Sequence, residues 1–537
     1  MAPGANPLHR PSPPGVRWTT TNFGEALTGV PTPLSWSFWE EATNRGAWYA
    51  YGETGLFSKQ ELAQFKRDGV VAGTVAYGHY CGNLDLMSAA VARTPGQDPV
   101  SFERDFFGVE VDDRTPKRTW RRAHVVVTKG AIASARITRL VTERAEATGA
   151  WWVESIERAE SLDVEGARRL LADARERFAQ MMEVHAFQSS IGQAVYGRLA
   201  KQCTERGHPG LELRLTTGHG GLEEVQVASD LWALAHDDLT MEAFLQRHGY
   251  HGPAEGELSS RSWREDSAPV AKAAAAYASS PGFSSPEDAE RRQRADREAA
   301  TRVLLEGQNR VTQARLRRLI TAAGTRAGLR EAGKAGFLKA IDVGRAAGRA
   351  LGRHLAADGV VEDVDDVFLL TFEEAMSSPQ GDLRPLVEQR RQLRASYERL
   401  DLPGYWTGDP EPVVVEDIAG ELVPTELQAL GVSAGVAEGR ARVILDPASC
   451  PDPVSEDEIL VAHTTDPSWV SLFMSAGGMV VDLGGALSHA AIVARELGVP
   501  CVINTGNGSA VIPDGALIRV DGSSGLVTIL KEATEPA

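Results

Sequence analysis

Cysteine is scarce in this 537-residue chain. Cys81, Cys203, Cys450 and Cys501 are scattered without a CxxC pair or zinc spacing, so they support neither a disulfide framework nor a structural metal site, and buried free thiols are expected. Long apolar runs are lacking too: no stretch approaches the about 20 apolar residues of a membrane-spanning helix. The start, MAPGANPLHRPSPPG, has no apolar run behind a positive charge, which argues against a secretory signal. Residues 1–17 are therefore expected to be a flexible leader and the protein to be cytoplasmic. Positive charge is in deficit, with 56 Lys and Arg against 73 Asp and Glu, a formal net charge of -17. No dense basic tract offsets it, so nucleic acid and anionic membranes are excluded as partners, and an anionic substrate would need a local cationic pocket. No internal repeat is found.

What is present is globular: 42% apolar and 24% charged residues. The length exceeds one ordinary core, so several domains are expected. From Glu287 to about Ala357 the chain is rich in Ala, Arg, Glu and Leu without proline, which predicts long helices stopped at Asp358-Gly359. Within it Gly344, Gly348 and Gly352 fall at i, i+4 and i+8, a smooth stripe suited to close helix packing or to a ligand. A second helical tract runs from Val164 to about Gln202, and the first 150 residues look mixed, with Val125–Val127 suggesting a short strand. Four prolines and three glycines between Pro403 and Pro424 predict a linker. Beyond it, Ala441–Leu445, Glu458–Val461, Met479–Val481, Cys501–Ile503 and Leu517–Val520 predict strands around one clear helix. The expected fold is multidomain: a mainly α-helical substrate-binding domain with some β at 18–402, a linker at 403–429, and a compact α/β domain at 430–537.

The run from Gly484 to Glu496 follows a strand-like segment and opens a helix, with Ser488 as a natural N-cap, so His489 falls in the first turn. An imidazole there can attack a phosphoryl group, and the product's charge would meet exposed N–H groups and the positive end of the helix dipole. Gly484 and Gly485 let backbone approach an anion, with Ser488 and Arg495 as further phosphate contacts. Taken alone, a surface or capping histidine is the simpler reading of such a residue. The surrounding motifs point further: Gly435-Val436-Ala437-Glu438-Gly439, Thr465-Asp466-Pro467-Ser468-Trp469, the core from Gly484 to Pro500, and Val520-Asp521-Gly522-Ser523-Ser524-Gly525. The stretch from Gly431 to Leu530 resembles the mobile phosphohistidine domain of the phosphoenolpyruvate-utilising enzymes. The resemblance implies a swivelling α/β domain that carries phosphate on His489.

Upstream, Trp18-Thr19-Thr20-Thr21-Asn22 and Pro31 to Ser37 resemble the start of the acceptor-binding domain of rifampin phosphotransferases. Gly256-Glu257-Leu258 with Trp263 resembles that family's GHRGPGEIEL segment, although Tyr250 and His251 stand where relatives have His and Arg. Glu255 and Glu257 are retained, and either could orient or deprotonate an acceptor hydroxyl; solvated loop carboxylates are the alternative. Arg330, Glu331 and Lys334 share one side of a helix, a spacing that suits a surface salt-bridge face or a clamp for a transferring phosphoryl group. The same REXXK pattern lies at the acceptor site of rifampin phosphotransferases. The nearby Gly328 to Ala335 almost spells a P-loop, but Ala335 replaces the Mg2+-binding Ser or Thr and no strand precedes it, so nucleotide binding there is rejected.

The resemblance implies an enzyme, a dikinase-type phosphotransferase, with Mg2+ as cofactor. Because this chain opens directly on the acceptor-like domain, it looks like the histidine-carrying subunit of phenylphosphate synthases, with ATP bound by a separate ATP-grasp partner subunit. AMP, phosphate and a phosphate monoester would be the products. A small hydrophobic hydroxylated acceptor, such as a phenol, is favoured, partly because Trp36, Trp39, Trp48, Tyr49, Tyr51 and Phe57 cluster near the start of the acceptor-like domain, with Trp36 as a candidate substrate contact, although aromatic core packing is the more ordinary explanation for most of them. The alternatives are a rifamycin-type antibiotic acceptor, a regulatory phosphocarrier, and a degenerate homologue that binds ligand without turnover, which the retained His489, Arg330, Glu331 and Lys334 disfavour. Catalytic roles thus fall to His489, Arg330, Glu331 and Lys334, substrate contacts to His251, Glu255, Glu257 and Trp36, and no metal ligands are assigned.

Overall fold

Thr32 accepts a hydrogen bond from the Ser35 amide, Pro33 fills the first helical position, and Gly55 closes the last turn at φ 75°. These three residues bound the helix Pro33–Thr54 (α1). The computed structural model describes residues 6–24, 26–107, 113–219, 223–279, 285–377, 381–414, 425–445, 454–465, 469–485 and 488–531. After α1 the elements that position the sites are the helices Val164–Thr204 (α2), Glu223–Ala235 (α3), Met241–His248 (α4), Arg310–Ala357 (α5) and His489–Leu497 (α6). The chain divides into two units, one of residues 1–194, 254–260 and 329–415, the other of residues 195–253, 261–328 and 416–537. Residues 195–253 and 261–328 therefore pack with the C-terminal module, where sequence composition grouped them with the upstream domain.

In the first unit a four-stranded antiparallel sheet, in the order Gly73–Ala76, His79–Asn83, Arg17–Thr19, Tyr405–Thr407, sits beside the helices. Trp39 is fully enclosed between Phe178 and Phe337, at ring separations of 5.1 and 6.0 Å. The glycine stripe on α5 serves packing. A Cβ at Gly344 would lie 2.9 Å from Leu258, one at Gly348 2.8 Å from Phe368, and one at Gly352 would overlap the Val364 carbonyl.

Three expectations change in this unit. The leader is built into the fold from Asn6 onward: Asn6 donates to the Tyr397 hydroxyl at 2.7 Å, Arg10 N–H to Val75 O at 3.0 Å, and Leu8 is completely buried. One well-placed leucine and main-chain bonding outweigh the proline content. Val125–Val127 lie in the helix Ala123–Ala159, because Val126, Ala133, Ile137 and Val141 recur on one buried helical face. The linker is partly structured at both ends: Tyr405–Thr407 pairs with Arg17–Thr19, and Glu426–Gln428 pairs with Leu526–Lys531 in the other unit's sheet. Residues 415–424 between them lie outside the described residues.

The second unit contains an eight-stranded sheet in the order 426–428, 526–531, 517–521, 436–443, 458–462, 478–481, 501–503, 430–433. The strands Val436–Val443, Glu458–Ala462, Gly478–Val481 and Cys501–Ile503 run parallel. The last three read as short, nearly continuous apolar runs because both faces are covered: Leu460, Met479, Val481 and Ile503 enter one core, Ile459, Val461, Val480 and Val502 the other, whereas Val436–Val443 alternates buried and exposed positions. A helical part adds a core of Leu199, Leu215, Leu304, Leu316 and Ile320. The long helical region expected from Glu287 is two helices, Pro286–Leu305 and α5, broken where Gly307 takes φ 69°. No helix among the described residues is long and apolar enough to cross a membrane. Cys81, Cys203 and Cys501 are buried free thiols, as expected, and Cys450 lies outside the described residues.

Candidate functional site

In the second unit α6 begins at His489. Ser488 takes extended backbone angles and its hydroxyl accepts from the Ala491 amide at 3.2 Å, which is the cap the sequence predicts. Gly485 O accepts from the Ser488 amide at 2.8 Å, and Gly484 has φ 154°, backbone that favours glycine. Asp482, at the end of the preceding strand, accepts from Thr505 Oγ1 at 2.7 Å and from the Ser509 amide at 3.0 Å, tying down the start of the loop that leads to His489. Ala486, Leu487, the side chain of His489 and the 466–468 part of the Thr465–Trp469 motif lie outside what the structure describes.

Arg495 is on the same helix but in its last turn, about 9 Å along the axis from His489 at 1.5 Å per residue. It is 8% exposed, and its charge opposes the upward shift that burial imposes on the Tyr196 hydroxyl. Its carbonyl accepts from the Gln293 side chain. Arg495 thus complements the negative end of the helix, away from the N-terminal N–H groups with which it was grouped as a phosphate contact.

In the first unit α5 carries Arg330, Glu331 and Lys334. Arg330 Nη1 lies 3.4 Å from Glu331 Oε1, and Lys334 Nζ lies 3.5 Å from Glu255 Oε2. Both carboxylates are buried, at 3% and 7% exposure. The loop bearing Glu255 is fixed by Arg345, itself fully buried, whose guanidinium donates to the carbonyls of Glu255 at 2.8 Å and Glu257 at 3.1 Å. The structure therefore joins Glu255 to the α5 trio.

His185 on α2, which sequence reasoning missed, faces this cluster. Its ring meets Phe337 edge-on at 5.1 Å, and the absent side chain of Gly333 gives it room, since a Cβ there would lie 3.3 Å from Nδ1. That Nδ1 is buried without a hydrogen-bond partner among the described residues. Burial first, then the charges of Arg330 and Lys334, push the His185 pKa down to about 3 against the opposing bond to the Arg330 backbone. The imidazole is neutral, so the local positive charge rests on Arg330 and Lys334. Its only sequence signal was a histidine inside a long amphipathic helix.

Glu257 and Trp36 take structural places. Glu257 accepts from Thr32 N–H at 3.0 Å, Thr32 Oγ1 at 2.7 Å, Ser35 Oγ at 2.7 Å and Ser259 N–H at 2.8 Å, so its carboxylate braces the start of α1. Trp36 is 2% exposed and packs on Tyr80, where it presents no wall to an acceptor. His251 belongs to the second unit. There it lies with Glu223 and His248, which with it form the one group of three potential metal-ligating side chains found among the described residues. Two imidazoles and one carboxylate do not fit Mg2+, which takes oxygen ligands, so no step is derived through Mg2+ here.

Residues 454–525 match the family described as PEP-utilising enzyme, mobile domain, and residues 238–331 match the rifampicin phosphotransferase fourth domain. The likeness to phosphoenolpyruvate-utilising enzymes holds. A rifampicin phosphotransferase of Streptomyces sviceus is 38% identical over 215 residues, 40% of this chain and 24% of that protein. One from Bacillus subtilis is 36% identical over 205 residues, covering 38% and 23%. One from a Streptomyces species is 34% identical over 299 residues, covering 54% and 34%. The chain thus spans between about a quarter and a third of the curated relatives it matches. The phosphotransferase resemblance therefore covers the α6 region and the segment leading into the α5 trio.

Proposed function

We propose that this chain carries a phosphoryl group on His489 and transfers it to a hydroxyl of a small hydrophobic acceptor held beside Arg330 and Lys334. The observation that carries the reading is the α5 cluster: two cations, two buried carboxylates and a neutral imidazole packed around one turn. In the transfer the P–N bond to His489 breaks and a P–O bond to the acceptor forms. The acceptor's proton goes to Glu331, while Arg330 and Lys334 offset charge on the phosphoryl oxygens. At the α6 N-terminus, backbone N–H groups favour the phosphorylated form of His489.

In this reading ATP is bound by a separate ATP-grasp subunit, which releases AMP and phosphate as it loads His489, with Mg2+ implied at that subunit by the resemblance. A phenol is the favoured acceptor. The names of the relatives favour a second reading, in which the acceptor is a rifamycin-type hydroxyl. The test is to phosphorylate the chain with a partner ATP-grasp protein and labelled ATP, then chase with phenols or rifamycins. Label leaving the protein for one class and not the other identifies the acceptor. Label that never enters the protein overturns the proposal.

A further inference from the structure

The Glu223, His248 and His251 cluster is built by local rules. His248 is the last residue of α4, and the His251 amide donates to His248 O at 3.0 Å, a turn that brings the two imidazoles to a ring separation of 6.3 Å. Trp263 N–H donates to His251 O at 2.7 Å and fixes that turn. Glu223 opens α3, and the Tyr250 hydroxyl donates to its Oε1. The same oxygen lies 3.8 Å from His248 Nδ1 and 4.0 Å from His251 Nε2.

The tautomer of His248 follows from its other nitrogen. Nε2 lies 2.8 Å from Asp230 Oδ2, and an ionised carboxylate can only accept, so Nε2 carries a proton and in the neutral ring Nδ1 carries the lone pair. That lone pair points into the cluster, buried, with no hydrogen-bond partner among the described residues, on a residue 2% exposed. A buried acceptor left unmade is costly, and a cation would satisfy it. Asp230 behind His248 is the outer carboxylate that orients metal-bound imidazoles. Arg247 also bonds Asp230 at 3.0 Å, so Glu223, Asp230 and Arg247 together leave a negative site for a cation.

We propose that Glu223, His248 and His251 bind a divalent transition-metal ion, Zn2+ in the first instance, with water in the fourth position. Donors about 2.1 Å from a tetrahedral Zn2+ stand about 3.4 Å apart; Glu223 lies 3.8 and 4.0 Å from the two imidazole nitrogens and all three donors lie within 4.8 Å of one another, so closing the site requires side-chain movements of about an ångström. Nitrogen donors select Zn2+ over Mg2+ and Ca2+. The ion would clamp α3 to the end of α4 inside the second unit.

The experiment uses the full chain, freed of metal by chelation and dialysis. One equivalent of Co2+ should give the visible bands of a tetrahedral site, Zn2+ should displace it and raise the melting temperature, and Mg2+ should do neither. Glu223→Gln, His248→Asn and His251→Gln should each weaken binding by at least about 10²-fold, and Asp230→Asn by about 10- to 100-fold. His185→Gln, in the other unit, should bind as the parent chain does. Zn2+ K-edge absorption on the unmutated chain should show two imidazole ligands and no sulphur, a readout independent of how the variants fold. Absence of Co2+ bands, binding unchanged in the folded ligand variants, a sulphur shell, or equal binding of Mg2+ would each overturn the site.

Discussion

Lys334 Nζ lies 3.5 Å from Glu255 Oε2, although the two residues are far apart in sequence. The pair ties a loop carboxylate to the helix that bears Arg330 and Glu331. Replacing Lys334 by Ala should reduce transfer from phosphorylated protein to acceptor by about 10²-fold, the scale for losing one preorganised charge contact. His489 labelling should be unaffected. Glu331→Gln should also slow transfer, with a smaller loss for acidic phenols, which part with their proton more easily. Rapid-quench measurement of both half-reactions on the same variant checks this, and blocked labelling with intact transfer would assign the trio to the wrong half-reaction.

His489→Ala should end labelling of both protein and acceptor while leaving the fold intact, because the α6 cap is made by Ser488 and not by the histidine. Phosphohistidine mass spectrometry and circular dichroism on the variant are the measurements. Turnover equal to that of the parent chain would remove His489 from the mechanism.

Isothermal calorimetry of ATP against this chain alone should show no tight binding and no AMP release, with both appearing when an ATP-grasp partner is added. Tight binding to the chain by itself would contradict the two-component reading.

The cap at Ser488 and the Arg330, Glu331, Lys334 trio were legible because their geometry is local: a first helical turn, and i, i+1, i+4 on one helix. Glu255 meeting Lys334 was not, since the loop and the helix meet only in the folded core through Arg345. His185 shows the same limit, as nothing in its own helix distinguishes it from any other half-buried histidine. Glu223, His248 and His251 were not legible as a group, because two histidines three residues apart single out nothing by themselves and Glu223 is supplied by another helix. The central strands Glu458–Ala462, Gly478–Val481 and Cys501–Ile503 were readable because burial on both faces makes them almost uniformly apolar. Val125–Val127 looked the same, and only the longer 3.6-residue pattern through Val141 separates helix from strand there.

The glycines of α5 give a stability test with opposite signs. Gly352→Ala places a Cβ against the Val364 backbone, which cannot step aside as a side chain would, and should cost about 1–3 kcal/mol or more. Gly328→Ala meets nothing within 4 Å and should stabilise the chain by about 0.5–1 kcal/mol through helix propensity. Denaturant unfolding of the two variants should move the midpoint in opposite directions, and a shift of the same sign in both would show that the stripe is not a packing device.

His185 supplies a pH signature. Its pKa in the folded chain is down to about 3, against an ordinary value of 6.5, so the folded state prefers the neutral ring and the unfolded chain binds the proton more readily. The sign follows from linkage: the stability that rests on the neutral imidazole is fully present above pH 6.5 and is lost as pH falls from there towards 3. His185→Gln removes the titrating group and keeps a polar side chain of comparable length. The variant should lose less stability than the parent chain between pH 6.5 and 4, whatever its stability at pH 7.5. Phosphate offered as a probe should protect the parent chain in the same range, because an anion beside Arg330 and Lys334 offsets the cationic field that helps keep His185 unprotonated. Thermal unfolding across that range, with and without phosphate, is the measurement. Parallel pH profiles for parent and variant would show that His185 is not held neutral by its surroundings, and the charge assignment of the Arg330 and Lys334 cluster would have to be redrawn.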